Sequence, residues 1–149
     1  MKYMTQINGS RGQTQDKAKI LLIQQHLPTA MSLISLLTQQ GCDVEVATGE
    51  KAAMPLLQER RFDLIALDPH LAENGFETFL QLRQIHALSE TPIVFIARRY
   101  DEASWRRGLE LGAADYIERP LDGTSFVRRI LSHVKTKRCE NLTAVVAES

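Results

Sequence analysis

The sequence predicts an α/β fold: a doubly wound, five-stranded parallel sheet with helices on both faces. Two observations carry that prediction. Short β-rich apolar runs alternate with segments of helical period, the pattern of a parallel sheet with packed crossover helices. One apolar run, Phe62-Asp63-Leu64-Ile65-Ala66-Leu67, ends on Asp68, with Pro69, His70 and the turn pair Asn74-Gly75 behind it. A carboxylate at the carboxyl end of a buried parallel strand stands where ligand and reaction sites collect in open α/β sheets.

Residues 1–17 are polar, contain Gly9, Gly12 and several glutamines, and read as a flexible segment ahead of a domain at 18–136. The first strand is expected from Lys19 to Gln24. A helix follows in which Ala30, Leu33, Ile34 and Leu37 share one face, and Gly41 closes it where a left-handed residue turns the chain. Asp43 to Ala47 is the second strand. The next helix contains Pro55, whose missing amide and ring clash should bend or delay it. Asp63 to Leu67 is the third strand, and Phe76, Phe79 and Leu80 form the apolar face of the helix after it. Pro92 to Ala97 is the fourth strand, Gly112 ends the fourth helix, and Asp115 to Ile117 is the fifth strand. Phe126, Val127, Ile130, Leu131 and Val134 make the last helical face. Residues 137–149 read as a short C-terminal tail.

At 149 residues the chain holds one ordinary domain. Eighteen basic and eighteen acidic side chains cancel, so no global field draws it to nucleic acid or an anionic membrane. The basic run Lys135-Thr136-Lys137-Arg138 reads as a solvated helix end. Apolar stretches such as Ile20 to Ile23 fall far short of the roughly 20 residues that cross a bilayer. With no apolar core of a secretory signal either, a cytoplasmic location is expected. Cys42 and Cys139 are read as reduced thiols, because no zinc or disulfide spacing surrounds them. Asn141-Leu142-Thr143 matches the glycosylation triplet, which has no meaning without a secretory route.

With those segments in place, the chain resembles the receiver domain of two-component response regulators, a flavodoxin-like fold. The strongest matches are Asp63 to Asp68 with its turn, and Gly108-Leu109-Glu110-Leu111-Gly112-Ala113-Ala114-Asp115-Tyr116-Ile117 ahead of Arg119-Pro120. The resemblance implies that Asp68 is the position phosphorylated by a histidine kinase. It also implies two acids ending the first strand that help hold Mg²⁺, a hydroxyl ending the fourth strand, and a lysine before a proline. Those positions carry Gln24 and Gln25, Ala97, and Arg119 here.

Each departure has a physical consequence. Mg²⁺ gives up water to carboxylate charge, and amides supply dipoles without that charge, so weak or absent Mg²⁺ binding and no other cofactor are expected. Without a metal, the charge growing in phosphoryl transfer loses its main stabiliser. Arg98, Arg99 and Arg119 gather near the same mouth, and a guanidinium can grip phosphate in two hydrogen bonds. Among the matched positions only Asp68 and Arg119 carry charge, which suggests an ion pair between them. Tyr116 matches the aromatic that the resemblance implies swings inward on activation. With Ala97 leaving space, it is expected to rest inward without a signal.

His26 and His70 flank the mouth but have no third convergent ligand, and both read as incidental. His86 and His133 look exposed. No nucleophilic triad, nucleotide fingerprint or separable acid and base pair is found, so no enzyme is expected. Trp105, Arg106, Arg107 and Glu110, with Arg128 and Arg129, are the candidate interaction face, rich in residue types common at hot spots. Opposite charges there, including Asp115 and Glu118, could serve a homodimer.

The expectation is a stand-alone, atypical receiver in phosphorelay signalling. It would act by contact with a signalling protein, such as a histidine kinase or a downstream effector, with no direct nucleic-acid or membrane contact. Its tail is too short for an output module. A second reading is a conventional receiver phosphorylated on Asp68. A third is a sensor of an anion or phosphometabolite through Arg98, Arg99 and Arg119.

Overall fold

Strand and helix alternate along the chain in the computed structural model, which describes residues 17–72, 74–118 and 122–134. In chain order the elements are β1 (Lys19–Ile23), α1 (Leu27–Gln39), β2 (Asp43–Ala47), α2 (Glu50–Glu59), β3 (Leu64–Leu67), α3 (Gly75–Arg83), a 3₁₀ turn (His86–Leu88), β4 (Ile93–Ala97), α4 (Glu102–Leu111) and β5 (Asp115–Glu118). Residues 123–134 form a further helix, α5. All strand pairs are parallel, in the order β2-β1-β3-β4-β5. This is the doubly wound flavodoxin-like arrangement, with its switch point between β1 and β3.

The central strands are continuous apolar runs because both faces of the sheet are covered. Alternate residues divide between two cores. Ile20, Leu22, Leu64, Ala66, Val94, Ile96 and Ile117 pack with Ala30, Leu33 and Leu37 of α1 and Phe126, Val127, Ile130 and Val134 of α5. Leu21, Ile23, Ile65, Leu67, Ile93, Phe95 and Tyr116 point the other way, toward Ala53 of α2 and Phe76, Phe79 and Leu82 of α3.

Helix ends follow local chemistry. Gly41 (φ 86°) and Gly112 (φ 103°) adopt the left-handed conformation just past α1 and α4, as the glycine stops predict. Asn74 Oδ1 accepts from the Phe76 N–H at 2.9 Å and caps α3. Asp101 Oδ1 does the same for α4, accepting from the Ala103 N–H at 3.2 Å.

Three expectations are corrected. Leu80 is 36 % exposed, since the inward stripe of α3 runs through Phe76, Phe79 and Leu82. Pro55 does not delay α2, which is helical from Glu50 with the proline inside it; the ring stands on a surface helix with one buried residue, Ala53. The third and fourth strands begin one residue later than expected, at Leu64 and Ile93: Asp63 meets Lys19 through its own N–H at 2.7 Å and through its side chain, which accepts the Lys19 N–H at 2.8 Å, and Pro92 has no N–H for the ladder. Cys42 is a free, buried thiol, and burial pushes its pKa up. Arg119, Cys139, the basic run 135–138, the N-terminal segment before Lys17 and the C-terminal tail lie outside the described residues. Among the described residues, no helix is long and apolar enough to cross a membrane.

Candidate functional site

The carboxyl ends of β1, β3 and β4 bring Gln24, Asp68 and Ala97 to one mouth. Ile23 lies opposite Leu67 in register, so Gln24 and Asp68 are the next residues out on neighbouring strands. Asp68 is 3 % exposed. Its N–H donates to the Ile23 carbonyl at 3.1 Å, and its Oδ1 accepts from the His70 N–H at 2.9 Å. The turn behind it is tight: a Cβ on Gly75 would lie 2.2 Å from the Asp68 carbonyl oxygen and 2.7 Å from Pro69 Cα. The first turn of α3 therefore seats directly on the aspartate's backbone.

The two glutamines turn their carbonyl ends toward backbone amides. Gln24 is 1 % exposed, and its Oε1 accepts from the His26 N–H at 2.9 Å. Gln25 Oε1 accepts from the Ala72 N–H at 2.8 Å, tying the β1 turn to the β3 turn. Among the described residues, the buried Gln24 Nε2 has no hydrogen-bond partner, a state that costs about 1–3 kcal/mol of lost solvation. One carboxylate and two amides thus form the described acceptor set. Among the described residues, no three His, Cys, Asp or Glu side chains converge as a metal-binding group.

Ala97 is fully buried, and Arg98 and Arg99 beyond it are exposed. Arg119, expected as the partner of Asp68, lies outside the described residues. His26 has a structural role. It is the N-cap of α1, its Nδ1 2.7 Å from Thr29 Oγ1 and accepting from the Thr29 N–H at 3.3 Å. A histidine is an uncommon cap, which is why Ser, Thr, Asp and Asn preferences do not point to it.

Tyr116 points inward. It is 2 % exposed, and its ring centroid lies 5.7 Å from that of Phe95, tilted by 45°. Burial pushes its phenol up to about 12. Ser104, near the phenol, donates its hydroxyl to Asp101 Oδ2 at 2.7 Å, and among the described residues the Tyr116 oxygen has no partner at ordinary hydrogen-bond geometry.

On the neighbouring face, Trp105 is 38 % exposed, and Arg106, Arg107, Glu110 and Arg128 are exposed as expected. Arg106 pairs with Glu102 one turn back at 2.6 Å, while the Arg107 guanidinium lies over the Phe76 ring at 4.9 Å. His133 corrects the expectation of an exposed ring: it is part-buried, with Nε2 3.0 Å from Asp115 Oδ2. Arg129 holds the same carboxylate, so Asp115 is engaged within the chain. Burial raises the Asp115 pKa, but hydrogen bonds from Arg129, His133 and the Tyr116 N–H outweigh it and leave the pKa lowered. This cluster joins β5 to α5 across a long sequence gap, and no local motif announces it.

The sequence profile described as the response regulator receiver domain matches residues 20–131. Among curated proteins, the transcriptional regulatory protein CpxR of Escherichia coli is 36 % identical over 113 residues, covering 75 % of this chain and 47 % of that protein. The transcriptional regulatory protein CrdR of Helicobacter pylori is 32 % identical over 113 residues, covering 75 % and 53 %. The chain spans about half the length of these relatives. Among solved structures, a CheY-like receiver domain protein from Methanospirillum hungatei superposes with a TM-score of 0.73 at 17 % identity, covering 84 % of this chain and 99 % of that one. A two-component response regulator from Clostridium difficile superposes with a TM-score of 0.71 at 22 % identity, covering 80 % and 97 %.

Proposed function

The chain belongs to the response regulator receiver family, and from that premise we propose that it is an atypical receiver, signalling by protein contact with little or no Mg²⁺-dependent phosphorylation of Asp68. The observation that carries this reading is the acceptor set at the mouth. Both glutamine oxygens already hold backbone N–H groups, from His26 and Ala72, and neither brings negative charge. Mg²⁺ takes near-ideal octahedral oxygen coordination and dehydrates reluctantly, so one carboxylate and two amides do not suit it. Phosphoryl transfer to Asp68 then lacks the charge that normally offsets its transition state.

The inward Tyr116 supports the same reading. A two-state switch needs a ligand that distinguishes its states, and Ala97 offers no hydroxyl to follow a phosphoryl group. The face around α4, β5 and α5 is accordingly held in one arrangement, and the partner is a signalling protein, a kinase or an effector, that recognises it. The chemistry is recognition rather than catalysis. Its location in the cytoplasm follows from that role.

Incubation with a small phosphodonor and Mg²⁺, followed by intact mass, tests the reading. The expected spectrum shows the unmodified chain; stoichiometric addition of one phosphoryl group that disappears in Asp68→Ala would establish an ordinary phosphoacceptor instead.

A further inference from the structure

Of the ten residues of α4, Gly108 alone is buried. A helix normally grips its sheet through apolar side chains; here Leu111 packs part-buried at the helix end, and the one fully buried position is the residue that has no side chain. The reason is the ring beneath it. A Cβ on Gly108 would lie 2.8 Å from Tyr116 Cδ2, 3.1 Å from Phe95 Cδ2 and 3.3 Å from Tyr116 Cε2, well inside the 3.5–4.0 Å at which carbon atoms pack favourably. Glycine is also a poor interior helix residue, and its presence there calls for a packing reason.

We infer that Gly108 is a notch that receives the Tyr116 ring, so that the ring's inward orientation and the position of α4 are one packing state. The contact is steric. The atoms that a Gly108 side chain would meet are ring carbons of Tyr116 and Phe95, and among the described residues the Tyr116 oxygen has no partner at ordinary hydrogen-bond geometry. Trp105, one turn before the glycine, and the exposed Arg106 and Leu109 therefore take their positions from how closely Gly108 lets the helix approach the ring. This deepens the reading above, because the face so positioned is the one assigned to partner contact.

Trp105 is the single tryptophan of the chain, one helical turn before Gly108, and reports on α4 by itself. The experiment compares tryptophan emission, acrylamide quenching and thermal midpoint in the full chain and in Gly108→Ala, Tyr116→Ala, Gly108→Ala/Tyr116→Ala and Tyr116→Phe. In the parent background Gly108→Ala is expected to shift the emission, increase quenching and lower the midpoint by several degrees, although alanine is the better helix former. In the Tyr116→Ala background, where Phe95 can relax into the vacated space, the same substitution is expected to leave emission unchanged and to hold or raise the midpoint. Tyr116→Phe is expected to leave emission and quenching unchanged and to hold or raise the midpoint, because it keeps the ring and removes a buried hydroxyl.

Equal effects of Gly108→Ala in both backgrounds, or a Tyr116→Phe shift as large as that of Gly108→Ala, would overturn the notch. Should Gly108→Ala alone fail to fold, a cooperative melt in the double variant supports the inference and its absence overturns it. No phosphodonor or metal enters these measurements. Phosphorylation of Asp68 would thus defeat the proposed function while leaving this result in place, and the reverse also holds.

Discussion

Arg129 holds Asp115 in a two-pronged grip, Nε donating to Oδ2 at 2.8 Å and Nη2 to Oδ1 at 2.7 Å, across a separation of 14 residues. A third hydrogen bond from Nη2 reaches the Tyr116 carbonyl at 3.3 Å, so one guanidinium ties α5 to the strand that carries the inward aromatic. Planar bidentate geometry of this kind is where arginine outperforms lysine. The Arg129 side chain is 44 % exposed and that of Asp115 17 %, which places the pair at the boundary between surface and interior.

Replacing Arg129 by lysine therefore loses geometry while keeping charge. Solvent screening limits the effect to about 1 kcal/mol for Arg129→Lys, with a larger loss for Arg129→Ala, which leaves the half-buried carboxylate to His133 and the Tyr116 N–H. Urea unfolding checks the order of the two; equal stability of all three chains would show that the grip contributes nothing.

The sign of the acid dependence follows from Asp115. Its pKa is lowered in the folded chain from the ordinary 3.8, so the unfolded state takes up its proton first. The associated stability is present above the unfolded value and is lost as pH falls through the lowered folded value. Asp115→Asn should flatten the acid limb of a stability-versus-pH curve relative to the parent, and superimposable curves would refute the assignment.

At the alkaline end the relevant group is Tyr116. Burial raises its phenol from 10.0 to about 12, so the folded chain keeps a proton that the unfolded chain releases. Stability from this group is complete below the unfolded value and declines as pH rises from there toward about 12. Ultraviolet titration of tyrosinate should show a late-ionising phenol that vanishes in Tyr116→Phe; a variant titrating like the parent would contradict the buried hydroxyl.

Restoring charge at the mouth should restore a cation seat. Gln24→Asp/Gln25→Asp is expected to gain a saturable Mg²⁺ response in backbone amide signals around Asp68, with the parent chain showing none under the same titration. The cost is stability without metal, since three carboxylates then face one another. A saturable response in the parent would remove the basis for calling this receiver atypical.

Gly75→Ala tests the tight turn behind Asp68. With a Cβ forced to within 2.2 Å of a backbone oxygen, either the first turn of α3 or the Asp68-Pro69 backbone must move. The expected loss is about 3 kcal/mol or more, visible in chemical denaturation; a loss below about 0.5 kcal/mol, the scale of neutral surface changes, would mean that the turn is more compliant than its packing implies.

Much of this architecture is written locally. The alternation of apolar runs with helical periods, the left-handed glycines at 41 and 112 and the aspartate closing β3 are each properties of a few adjacent residues, and neighbour chemistry is enough to read them. Leu80 escaped that reading because a helical period identifies a stripe only to within a residue or so, and the choice between adjacent candidates is made by the sheet beneath. His26 as a cap is local, reaching only to Thr29, and was hidden by its residue type, whereas His133 and Arg129 on one carboxylate, and Gly108 under the Tyr116 ring, belong to a different class. Each depends on side chains from separate elements meeting in space, as Asp115 and His133 do across 18 positions. The order of amino acids alone determined which charges were missing from the mouth. Only the tertiary structure decided where the remaining amides point and what the helices rest on, because hydrogen-bond direction and van der Waals contact exist only between atoms that folding has brought together.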